Sequence, residues 1–166
     1  TQLMNNIQII FCAFLFFFLQ LFLVDFLSLS LIRPDFLVVF ILYLSVYKGK
    51  FYGLLAGFLL GYFSNLFGVG SLFGLEPLSL TIVGYLAGYL KNIYEKILPY
   101  TFHVLWILII LFHFFLTCYF RFQNLYISDF SDFMRIWILS FSYTMLFIIS
   151  AQFIYPLKKA SHAEIS

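Results

Sequence analysis

Residues 53–90 read GLLAGFLLGYFSNLFGVGSLFGLEPLSLTIVGYLAGYL. Glycine stands at positions 53, 57, 61, 68, 70, 74, 84 and 88, eight of the chain's nine. In water each glycine would weaken a helix by about 1 kcal/mol relative to alanine, so regular four-residue steps of it in an apolar stretch imply a different solvent. Lipid gives helices no hydrophobic reason to associate, and small residues four apart are what let two backbones approach closely. Gly53, Gly57, Gly61 and Asn65 share one slowly drifting helix face, and Gly84 and Gly88 repeat the step. The stretch therefore predicts two membrane helices joined by an outer turn. In that turn Gly68, Gly70 and Gly74 permit positive φ. Pro77, next to Glu76, suits the first turn of the second helix, where its missing donor costs nothing. The glycine faces serve either packing within one bundle or the reception of a helix from another protein.

The rest of the chain agrees with that solvent. Of 166 residues, 64% are hydrophobic and only 10% charged, against roughly 25% charged in soluble domains. That is too little polar surface for a water-facing globule, and it predicts an all-α integral membrane protein. The nine Lys and Arg never cluster beyond Lys158–Lys159, so no nucleic-acid patch is present. Six apolar runs lie between the charges, at about 7–24, 36–47, 51–67, 77–90, 98–120 and 136–155. The first, fifth and sixth suit a helix of about 20 residues crossing the hydrocarbon. Run 36–47 covers only about 18 Å and needs snorkelling, local thinning or shelter within the bundle. Solid runs such as VLWILIILFHFFL (104–116) lack the alternation of barrel strands. The opening TQLMNN has no basic stretch, so the first run is expected to stay as a membrane anchor.

The charges predict an orientation. Lys48, Lys50, Lys91, Lys96, Lys158 and Lys159 follow the even-numbered runs, whereas Arg33, Arg121 and Arg135 follow the odd-numbered ones. The positive-inside rule places the lysines and both termini in the cytoplasm. The connection at about 121–135 contains FQNLYISDFSD, whose Asp and Ser could cap a short interfacial helix.

Groups able to do chemistry are sparse. His103 and His113 lie about 15 Å apart along one helix and cannot share a metal. A zinc site needs three or four converging ligands, so neither a metal nor a cofactor is expected, and each histidine should instead bond a neighbouring helix. Ser71, in GVGS, would need a base within hydrogen-bond reach to act as a nucleophile. Cys12 and Cys118 should lie near opposite sides of the bilayer, too far apart to bridge. Asp25 closes the first run near the outer interface, to snorkel, pair with Arg33 or grip a partner. Arg33 and Asp35, flanking Pro34, should anchor the interface and fix the turn. Tyr52, Tyr100, Tyr119 and Trp137 fit an aromatic belt.

The order of these features resembles the rod shape-determining MreD family of bacteria. An uncharged first run ends in Arg33-Pro34-Asp35. A hairpin then turns at a basic pair, and a Gly-x-x-x-Gly helix leads to a polar residue and a glycine-rich outer turn. LSLTIVGYLAGYLK follows at 78–91. The specific likeness covers about 33–91. Family members often carry Asp where this chain has Asn65, which keeps the hydrogen bonding and loses the charge. The resemblance implies six helices arranged like the S-components of energy-coupling-factor vitamin transporters, in the bacterial cytoplasmic membrane. It also implies a non-enzymatic role in the cell-elongation machinery that directs peptidoglycan synthesis. The implied partners are MreC first, then RodA, a class B penicillin-binding protein and MreB. The shared architecture leaves a second reading, a vitamin-binding subunit of a membrane transporter, which should enclose a pocket with a few convergent polar groups.

Overall fold

The structure is a computed structural model and describes residues 6–28, 31–67, 72–93 and 96–157, the side chains of Asn6 and Asp25 aside. The described residues form seven helices and no strand: α1 Asn6–Leu27, α2 Phe36–Lys48, α3 Lys50–Leu66, α4 Leu75–Gly88, α5 Pro99–Arg121, α6 Gln123–Ser128 and α7 Phe130–Ile154. Three of them carry segments long and apolar enough to cross a membrane, namely Ile7–Val24, Pro99–Arg121 and Phe130–Ile154. Helices α2 and α4 are shorter apolar helices.

Local chemistry accounts for the boundaries. Asp35 caps α2 by accepting from the Val38 amide, and Asp129 caps α7 by accepting from the Ser131 and Asp132 amides. That cap starts α7 at Phe130, six residues before the apolar run that predicted it, because its first two turns carry Asp132 and Arg135. Pro99 opens α5, where its missing amide donor is no loss. A single residue, Gly49, separates α2 from α3. Its φ of 99° lies where a side chain is strained, and its amide closes α2 on the Ser45 carbonyl. Gly74, at φ 93°, precedes α4 in the left-handed region.

Helix α2 is the centre of the bundle. Every residue from Phe36 to Tyr47 except Tyr43 is buried, and α1, α3, α4 and α7 all pack on it. A helix apolar all round belongs inside, so the shelter that its short length required comes from its neighbours. Its 13 residues span only about 20 Å of a hydrocarbon layer about 30 Å thick. The chain must therefore satisfy the end of α2 with its own polar groups, which is how the site described next arises.

Helices α3 and α4 form the tightest pair. A methyl group added to Gly53 would fall on the Ser45 hydroxyl and the Gly84 carbonyl, and one on Gly84 would fall on the Gly53 backbone. Gly57 meets the Leu80 backbone, Gly61 meets Pro77, and Gly88 meets Lys50. The two backbones thus run antiparallel in one register, each glycine of α3 seated on a turn of α4. At the other side of the bundle an aromatic cluster of Tyr119, Tyr126, Phe130 and Phe133 joins α5, α6 and α7.

Candidate functional site: a buried polar cluster at the start of the second helix

Three elements converge on the start of α2. The Asp35 amide donates to Thr144 Oγ1 of α7 at 3.1 Å, and the Phe36 amide donates to Gln20 Oε1 of α1 at 2.8 Å. Asp35 Oδ1 accepts from the Val38 amide at 3.1 Å, and Asp35 Oδ2 lies 3.1 Å from His113 Nε2 of α5. Helix-end amides in a membrane protein need such partners because no water in the hydrocarbon supplies them. Beside this group, Arg121 Nη2 of α5 meets Glu76 Oε1 of α4 at 3.3 Å. The two pairs face a cavity of about 50 Å³, into which Gln20, Arg33, Thr117 and Ser140 also reach. That is room for one or two waters and far below the 300–1,000 Å³ typical of a small-molecule site.

The hydrogen-bond pattern assigns the histidine tautomer. A carboxylate only accepts, so the proton of this contact sits on His113 Nε2. His113 is 2% exposed, and its other ring nitrogen, Nδ1, has no hydrogen-bond partner. An Asp–His pair is half of a hydrolytic relay, but a relay also needs a hydroxyl bonded to the second ring nitrogen. None of the described hydroxyls is. The cluster has the geometry of a clamp: it joins α1, α2, α5 and α7 at one point and α4 to α5 beside it.

Several residues singled out in the sequence take other places. The Asp35 carboxylate turns inward and is 13% exposed, because the short α2 draws its cap into the bundle. Pro34 is buried beside it, and Arg33 is exposed. Glu76, expected in the outer turn, lies in the first turn of α4 and pairs with Arg121. Pro77 is buried in the same turn, against Gly61. His103 bonds within its own helix, accepting from Trp106 Nε1 at 3.1 Å. Trp137, taken for an interfacial residue, donates to the Leu111 carbonyl at 3.3 Å. Cys12 and Cys118 are free thiols. Both polar atoms of the Asn65 side chain are buried without a hydrogen-bond partner. Gly68, Gly70, Ser71 and the side chain of Asp25 fall outside the described residues.

Sequence reasoning missed the cluster itself. Its members come from five elements, and the Asp35–Thr144 contact spans 109 positions, so no local pattern announces it. One signal was available: Asp35 stands directly before an apolar run, the position of a helix cap.

Comparison with known proteins adds one match. The family model for the rod shape-determining protein MreD matches residues 2–157. No curated protein and no solved structure matches the chain.

Proposed function

Because the chain belongs to the rod shape-determining protein MreD family, we propose that it is a non-enzymatic scaffold of the cell-elongation complex, acting chiefly through MreC. Family membership makes it a membrane protein of rod-shape determination, and the match over residues 2–157 is the observation that carries the reading. The finer parts of the proposal are six spans in an S-component-like arrangement, both termini in the cytoplasm, and residence in the bacterial inner membrane. RodA, a class B penicillin-binding protein and MreB complete the proposed assembly. The short connections between helices support a contact made by a helix face inside the membrane, since a standard interface needs about 800 Å² per partner. The glycine faces of α3 and α4 are already seated on each other, so the proposed contact uses a lipid-facing surface instead.

The transporter reading finds no support in the cavities. The polar cavity beside Asp35 is too small for a vitamin, the groove between α1 and α3 is lined by apolar and aromatic residues with no convergent polar set, and the basic groove beside Gly49 lies open at the surface and encloses nothing. Depletion in a rod-shaped host tests the proposal. Rounded cells that regain rod shape when the chain is re-expressed are expected, and cells that keep their shape without it would refute the assignment.

A further inference from the structure

Four helices fix the depth of the polar cluster. Gln20 stands seven residues before the Leu27 end of α1, and His113 eight residues before the Arg121 end of α5. Thr144 stands nine residues after Arg135, the last charge in the opening turns of α7. At 1.5 Å per residue these offsets are about 10, 12 and 14 Å. In the other direction Gln20 and His113 each lie fourteen residues from the far end of their helix, Asn6 and Pro99. That is about 21 Å, and α2, which begins at the cluster, runs about 20 Å to Lys48. The two distances together make the thickness of a hydrocarbon layer, about 30 Å. Where α1, α5 and α7 cross a bilayer, as their length and apolar character allow, the Asp35–His113 pair sits about a third of the way through it.

Ionisable groups at such a depth face a bundle interior or water, and here a polar face leads to them. His113, Thr117 and Arg121 are four apart on α5, so they share one side of an otherwise apolar helix. All three line the cavity, as does Ser140, one turn of α7 from Thr144. Arg121 brings that face to the end of α5, with its side chain 24% exposed. Arg33 also lines the cavity and is exposed. It precedes Asp35 by two residues and so lies at most about 7 Å from its level, still below the ends of α1 and α5. Non-helical backbone at membrane depth is tolerated only where protein buries it or where it lines a water-filled space. An exposed guanidinium there needs the second.

We propose that the cluster is the floor of an aqueous crevice, open on the side of the membrane at which α1 and α5 end. It brings water, and with it protons, along the His113–Thr117–Arg121 face to the Asp35–His113 pair. A cavity of about 50 Å³ admits water and excludes organic ligands. The short α2 then crosses only from the floor of the crevice to the opposite surface, with no thinning of the bilayer. The inference goes beyond the scaffold reading and requires of it only that α1, α5 and α7 span a bilayer.

Thiol reaction with silver ion, a cation of about the size of water that does not cross lipid, tests it on the full chain in nanodiscs. Thiols left unreacted are counted by mass spectrometry after unfolding. In a background with Cys12 and Cys118 replaced by alanine, Ser140→Cys is compared with Leu139→Cys. Ser140 lines the cavity and is 5% exposed, whereas Leu139 does not line it and is 43% exposed. Ser140→Cys should react at least about tenfold faster, because silver takes the thiolate and apolar surroundings suppress it. Adding Thr117→Leu, which lays an apolar side chain across the polar face, should slow that reaction, with circular dichroism confirming each fold. The unaltered chain supplies a second comparison: Cys118 lines the cavity and Cys12 does not, so Cys118 should react first. Equal rates for Ser140→Cys and Leu139→Cys, or reaction of Cys12 ahead of Cys118, would overturn the proposal. A rate unchanged by Thr117→Leu would refute entry along α5.

Discussion

His113 Nε2, midway along α5, lies 3.1 Å from Oδ2 of Asp35, the residue that caps α2. This contact locks the central helix of the bundle to one that is long enough to cross the membrane. It uses one oxygen of the carboxylate, while the other caps α2 through the Val38 amide.

The two functions of Asp35 can be separated. Asp35→Ala loses both, and should lower stability by about 2 kcal/mol from a cap of about 1 kcal/mol and an interhelical hydrogen bond of similar size. Asp35→Asn retains a capping oxygen and should lose about half as much. A double-mutant cycle with His113→Ala, read by unfolding in detergent, should give a coupling energy of about 1 kcal/mol. Strictly additive effects would show that the two side chains do not interact.

The seam between α3 and α4 should tolerate no side chain. Gly57→Leu drives a branched side chain into the Leu80 backbone, which cannot rotate away. A loss of at least about 3 kcal/mol is expected, the upper end of ordinary overpacking. Phe58, the next residue and about 100° further round the helix, is 52% exposed, and Phe58→Leu should change stability little. Equal melting temperatures for the two variants would mean that the helices are not packed through their glycines.

Orientation is open to labelling in intact cells. In a background with Cys12 and Cys118 replaced by alanine, a cysteine at Asn124 of α6 should react with a membrane-impermeant thiol reagent. One at Lys158 should be protected until the membrane is opened. The reverse pattern would invert the proposed topology, and with it the assignment of the lysine-rich face to the cytoplasm.

The all-helical character and the small-residue faces were legible in the sequence, whereas which helices those faces join, and the polar cluster, were not. Small residues at four-residue steps carry their meaning locally, since Gly53, Gly57 and Gly61 must share a face wherever the helix packs. Helix α7 was legible only in part: hydropathy registers the apolar stretch from residue 136, whereas Asp129 and the polar first turn begin the helix at Phe130. The cluster depends on tertiary placement. Gln20, Asp35, Glu76, His113 and Thr144 meet because α2 is too short to reach both surfaces, and shortness alone does not say which residues will close its end. Asp35 read as an interfacial charge because Arg33 and Pro34 precede it. Its inward turn follows from the capping of α2, which the same triplet also permits.

The central claim, that this MreD-family chain acts by holding MreC within the membrane, is tested most directly by co-recovery. The tagged chain should recover MreC from mild detergent, and replacing the single membrane span of MreC by an unrelated apolar span should weaken that recovery by about tenfold or more, the loss of about 1.4 kcal/mol of contact. Recovery undiminished by the swap, or no recovery of native MreC at all, would contradict the account.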